Sequence, residues 1–205
     1  MTVRTGPILV VEDIAHVRDL IAVQLRLRGY TVVTARDGQE ALELIAQDKP
    51  AIVISDILMP RVDGFALAHK IRSDPQTAGI PLLLLSATYV SAEDERFALG
   101  VGAIRFLPKP VEGDDLLVAV ADALTGQTPS GPPMSEREFY INYRQRLKTK
   151  LQQKTQQIAR TQQQLDSAAE PQRETYRHLL AEAQEQYDEI QRELSVLVNV
   201  LQDVE

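Results

Sequence analysis

Three carboxylates, a hydroxyl and an ammonium stand at the ends of apolar runs, and these are the residues whose types could do chemistry. Ile8-Leu9-Val10-Val11 runs straight into Glu12 and Asp13. Ala51-Ile52-Val53-Ile54-Ser55 runs into Asp56, Leu82-Leu83-Leu84-Leu85 into Ser86, and Phe106-Leu107-Pro108 into Lys109 and Pro110. Adjacent acids at the mouth of a buried strand repel unless a cation sits among them. An all-oxygen set with few protein ligands and several waters suits Mg²⁺. For Glu12 and Asp13 taken alone, capping of a following helix is an equal alternative, since negative charge is favoured there. Asp56 and Lys109 at matching positions favour a site.

The elements needed to bring these residues together can be read from hydrophobic patterning. Strands are expected at Pro7–Val11, Tyr30–Ala35, Ala51–Ser55, Pro81–Ser86 and Ala103–Leu107. Helices are expected at Asp13–Arg28, Asp37–Gln47, Asp63–Arg72, Ser91–Leu99 and Glu112–Leu124. The apolar runs are continuous, not alternating, which implies strands covered on both faces. Five such βα units predict an α/β fold with a doubly wound parallel sheet, and ligands of such sheets bind outside the carboxyl ends of the strands. That rim is where the polar residues above fall.

With these motifs in hand, the chain resembles the receiver domain of two-component response regulators, in a CheY-like form. The resemblance covers residues 6 to about 125 and rests on VVED at 10–13, SDILMPRVDG at 55–64, LLSA at 84–87 and GAIRFLPKP at 102–110. It implies a flavodoxin-like sheet of strand order 2-1-3-4-5. It implies that Asp56 accepts a phosphoryl group from a phosphohistidine of a cognate histidine kinase or phosphotransfer protein. Asp13 and Asp56 would hold Mg²⁺ through their carboxylates, with Glu12 helping through water and the Leu58 backbone carbonyl as a further ligand; Lys109 would pair with the phosphoryl oxygens and Ser86 would donate its hydroxyl to one. A cis Lys109-Pro110 peptide is implied as well. Ser86 and Phe106 would form the switch that alters the face of the fourth helix, fifth strand and fifth helix. Met59-Pro60 and Gly64 are read as loop geometry. Leu58 and Thr88 flank the path of the hydrolytic water in this family, so a bulky Leu58 predicts a long-lived phosphoryl-aspartate. No enzymatic activity is expected beyond self-phosphorylation and slow autodephosphorylation.

Thr125–Pro133 reads TGQTPSGPP, a linker by composition. It divides a domain at 1–124 from a Gln-rich helical region at 134–205. Two helical segments flank SAAEP at 167–171, with Ser167 and Glu170 placed as a capping box for the second. In that second segment Tyr176, Leu180, Ala183, Tyr187, Ile190, Leu194, Leu197, Leu201 and Val204 keep 4-3 spacing, a coiled-coil signal. The first segment has a weaker seam of Tyr140, Leu147, Leu151, Lys154, Ile158, Thr161 and Leu165. Residues 134–168 carry seven Lys/Arg against three Asp/Glu, a net +4; residues 169–205 carry three against nine, a net −6. Folding about residue 169 opposes these charges and predicts an antiparallel hairpin; a long kinked helix pairing between chains is the rival. A lone hairpin has little core, so a homodimer through the tail is expected, with Leu180, Tyr187, Ile190, Leu194, Leu197 and Leu201 in its seam. His178 matches no phosphotransfer motif.

The totals narrow the classes further. The net charge is −7 and no cysteine is present. The acidic balance argues against a nucleic-acid partner; the lack of cysteine excludes disulfides and fits a cytoplasmic protein. No signal peptide, membrane span or membrane partner is expected. The leading expectation is a response regulator signalling through a dimeric helical tail by protein-protein interaction. The alternatives are the sensory front part of a longer enzyme, such as a nucleotide cyclase or histidine kinase, and a phosphorelay intermediate.

Overall fold

A computed structural model describes residues 5–86, 92–111, 113–126 and 134–204 of the chain. They fall into two compact units, Met1–Met134 and Ser135–Glu205. In the first, β1 (Ile8–Val11), β2 (Val32–Ala35), β3 (Ile52–Asp56), β4 (Leu82–Ser86) and β5 (Arg105–Pro108) alternate with α1 (Ala15–Leu27), α2 (Gly38–Gln47), α3 (Gly64–Ser73), α4 (Ala92–Gly100) and α5 (Gly113–Leu124). The strands form one parallel sheet in the order β2-β1-β3-β4-β5. The doubly wound sheet of order 2-1-3-4-5 is therefore observed, followed by two long helices.

Burial explains the continuous apolar runs. Every residue of β1, β3 and β4 is buried, whereas the edge strands β2 and β5 are partly exposed. Side chains alternate across a strand. Ile8, Val10, Ile52, Ile54, Leu83 and Leu85 accordingly pack with Ile21 and Leu25 of α1 and Leu116 and Val120 of α5. On the helices near the other face, the Phe65 and Phe97 rings meet edge to face at 4.9 Å. The register then sets the site: Val11 lies beside Ser55, Asp56 beside Leu85 and Ser86 beside Pro108, so the carboxyl ends of the inner strands share one rim.

Element ends differ from the sequence expectation in informative ways. Helix α1 starts at Ala15 behind Ile14, with no side-chain cap. Capping by Asp13 is thus not what places that carboxylate. Asp37 and Asp63 do cap: Asp37 accepts from the Gln39 and Glu40 amides and Asp63 from the Ala66 amide. Asp56 is the last residue of β3 rather than the residue after it. The expected helix starts at Ser91 and Glu112, and residues 127–133 of the linker, lie outside the described residues.

The second unit holds α6 (Glu136–Ser167) and α7 (Glu170–Val204). They pack antiparallel: the Tyr143 hydroxyl donates to the Glu193 carboxylate, and Glu182 acts on the Lys154 ammonium, both pairs being symmetric about residue 168. Ser167 does not cap α7. Its hydroxyl donates back to the Gln163 and Gln164 carbonyls and so closes α6, the local back-bonding that competes with capping. Pro171 sits in the first turn of α7, where its missing N–H costs nothing. The α6 seam also departs from strict heptads. Phe139, Tyr143, Leu147, Lys150 and Thr161 are its buried residues, and Tyr140 is only half-buried. Phe139, Lys150 and Thr161 are spaced by eleven residues, a period of about 3.67 that follows the helical repeat more closely than seven does. On α7, Ala183 and Leu197 are buried, Leu180, Tyr187, Ile190 and Leu194 are half-buried, and the Leu201 side chain lies outside those described. Among the described residues no helix is long and apolar enough to cross a membrane.

Candidate functional site

The rim brings Glu12, Asp13, Asp56 and Lys109 together. Glu12 is 1% exposed and Asp56 7%, whereas Asp13 faces solvent. One carboxylate oxygen from each of the three acids lies within 4.8 Å of the others. The Lys109 Nζ lies 2.5 Å from Glu12 Oε2 and 2.6 Å from Asp56 Oδ1, an ammonium held between two buried acids. The second Asp56 oxygen, Oδ2, accepts the Leu58 amide at 3.0 Å.

Local sequence explains each placement. The β3–α3 loop leaves Asp56 sharply because Gly64 folds back on it: the Gly64 amide donates to the Ile57 carbonyl at 2.9 Å. A side chain at position 64 would collide with the Asp56 carbonyl. The Lys109 backbone amide donates to the Ser86 carbonyl at 2.7 Å, which fixes the end of β5 at the rim, and the Lys109-Pro110 peptide is cis. Ser86 closes β4 and is 1% exposed; Phe106 on β5 is half-buried. Leu58 is half-buried at the start of the loop, and Thr88 lies outside the described residues. Sequence reasoning missed Arg18, whose guanidinium holds the turn after β1 by donating to the Glu12 carbonyl at 2.7 Å. It also missed the ion pair of Arg61 with Asp37, 1% exposed.

Electrostatics follow from burial. Burial pushes the Glu12 carboxyl up from its ordinary value, with Asp56 adding to the rise and Lys109 opposing it. Burial likewise raises Asp56, against the pull of Lys109. For Lys109 burial alone would lower the ammonium, but Asp56 and Glu12 more than offset it, and its pKa stands raised. Two buried acids sharing one cation are short of positive charge. Hard oxygens within 4.8 Å of one another are the donor set that suits Mg²⁺. The residues fit that ion.

The fold has counterparts among solved structures. The chain is similar to the chemotaxis protein CheY4 of Vibrio cholerae, with 32% identity and a TM-score of 0.55 over 58% of this chain and 99% of that one. It is similar to the receiver domain of a signal transduction histidine kinase from Syntrophus aciditrophicus, with 30% identity and a TM-score of 0.56 over 64% and 99%.

Among curated relatives, the response regulator MprA of Mycolicibacterium vanbaalenii is 41% identical over 123 residues, 60% of this chain and 52% of that protein. The DNA-binding dual master transcriptional regulator RpaA of Synechocystis is 33% identical over 135 residues, 66% and 55%. The chain spans about half the length of the curated relatives it matches.

These relatives correct the expectation of no nucleic-acid partner, since one of them carries DNA binding in its name. Net charge summed over a whole chain is a weak guide to such a partner, because it averages segments of opposite sign. The total of −7 hides the basic excess of α6, with seven Lys/Arg against three Asp/Glu. Residues 8–121, more than half of the chain, match the response regulator receiver domain, and the chain belongs to that family.

Proposed function

We propose that this chain is a Mg²⁺-dependent response regulator that accepts a phosphoryl group on Asp56 from a histidine kinase or phosphotransfer protein. The observation that carries the reading is the Lys109 ammonium between Glu12 and Asp56, with the Asp13 oxygen beside them. In the transfer an Asp56 oxygen attacks phosphorus in line. The O–P bond forms, the P–N bond of the donor breaks, and the leaving imidazole takes up a proton from solvent. Glu12, Asp13, Asp56 and the Leu58 carbonyl would hold Mg²⁺, which would supply positive charge against the negative charge on the transferring group. Lys109 exchanges its carboxylate partners for phosphoryl oxygens as a compact point charge. Ser86 donates its hydroxyl to the new group, and Phe106 follows it as the switch. The chain is no enzyme beyond its own phosphorylation and slow dephosphorylation, and it works in the cytoplasm.

Output passes through a homodimer formed by the α6–α7 hairpins. The half-buried Leu180, Tyr187, Ile190 and Leu194 support this, because packing against a second hairpin removes the rest of their surface from water. Light scattering on the whole chain and on a chain ending at Thr125, each with and without beryllofluoride, tests it. Loss of the dimer on truncation is the expected result; an unchanged mass ratio contradicts it.

A second reading adds DNA as a partner. The name of RpaA and the basic excess of α6, with Arg137, Lys148 and Arg160 exposed, favour it. Binding to duplex DNA that weakens steeply with salt supports this reading; no binding at low salt removes it.

A further inference from the structure

Asp37 is a buried carboxylate that no step above uses. It stands at the N-terminus of α2, 1% exposed, and its Oδ1 accepts the Gln39 and Glu40 amides at 2.9 Å each. Capping needs one oxygen. The other, Oδ2, is ion-paired with the Arg61 guanidinium, with Arg36 farther off at 3.9 Å. Arg61 lies in the β3–α3 loop and has φ of 66°, a left-handed backbone that a non-glycine side chain rarely adopts. Such a conformation persists only where the surroundings over-determine it.

The neighbouring residues complete a clamp. The Gly38 amide donates to the Val62 carbonyl at 3.1 Å, and any side chain at Gly38 would collide with that carbonyl. At the other end Gly64 is closed onto Ile57 and Asp56. The loop is thus fixed on both sides of Leu58, Met59 and Pro60.

We infer that Asp37 and Arg61 are positioning residues that preset the Leu58 carbonyl for Mg²⁺. The inference rests on the proposed reading of Leu58 as a ligand. The clamp ties the loop to α2, an element that contributes none of the metal ligands, so a carbonyl on a loop of otherwise free length meets the ion without first being ordered. Outer partners that orient metal ligands commonly govern affinity by about 10-fold or more.

Calorimetric titration of the whole chain with Mg²⁺ alone tests this, with no phosphoryl donor present. Arg61→Gly keeps the left-handed backbone and removes the guanidinium; Asp37→Asn keeps the capping oxygen and removes the charge. Each is expected to weaken Mg²⁺ about 10-fold, the double variant no more than either single one, and Arg61→Lys to recover most of the loss. Circular dichroism is expected to be unchanged in all of them. If wild type binds Mg²⁺ and both single variants bind it equally well, the clamp is overturned while the site stands. A lowered thermal midpoint with unchanged affinity overturns it too, marking the pair as structural. If wild type itself binds no Mg²⁺, the proposed function falls and the clamp with it.

Discussion

Lys109 holds Glu12 and Asp56 apart and together, its Nζ 2.5 Å from the one and 2.6 Å from the other. Both acids are pushed up by burial, so without metal the folded chain binds protons that the unfolded chain has released. Stability then rises as pH falls through the raised folded-state values, until the ordinary values of 4.5 and 3.8 are reached. In EDTA the thermal midpoint is expected to increase as pH drops from neutral toward that range, with a shallower slope in Glu12→Gln. Excess Mg²⁺ is expected to abolish the trend. A midpoint that falls steadily over the same interval contradicts the charge assignment.

Lys109→Met leaves both acids without their cation. Removing one partner of a buried pair costs about 3 kcal/mol, and chemical denaturation in EDTA reads this as a lower midpoint at unchanged slope. Mg²⁺ is expected to recover much of the loss. Phosphoryl transfer is not expected to recover, because the metal does not replace the ammonium at the phosphoryl oxygens.

Leu58 follows the acceptor by two positions and is half-buried. Its apolar bulk is expected to slow the approach of hydrolytic water, giving a long-lived phosphoryl-aspartate. Leu58→Asn is expected to speed decay about tenfold, roughly 1.4 kcal/mol of barrier, measured by loss of label after the donor is removed. A wild-type half-life of seconds refutes this.

The two compact units predict separable unfolding. Leu147 is fully buried in the hairpin, and Leu147→Ala costs about 2–5 kcal/mol. Scanning calorimetry is expected to show the helical transition shifted down and the receiver transition in place. A single transition that moves as a whole contradicts independent units.

Much of the receiver was legible because its physics is local. Continuous apolar runs of four residues such as Ile8–Val11 signal buried parallel strands, and the polar residue after each run is carried to the rim by the fold itself. The ends of the helices were less legible. Capping is only the alternative to a metal site for Asp13, and α1 begins behind Ile14; Ser167 is expected to cap α7, yet it bonds backward into α6. A hydroxyl or carboxylate can serve either neighbour, and only tertiary context decides. The Asp37–Arg61 pair left no signal, since a positive φ at Arg61 is a property of the loop rather than of the residue type. The Phe139 and Tyr143 seam was missed because strict heptads were imposed on a helix that keeps an eleven-residue period.

Intact-mass measurement after incubation with acetyl phosphate and Mg²⁺ reads whether Asp56 accepts a phosphoryl group. The mass is expected to increase by one phosphoryl group in the wild-type chain, and not to increase in Asp56→Asn or when EDTA replaces Mg²⁺. An unchanged wild-type mass, or an adduct that survives in Asp56→Asn, contradicts it.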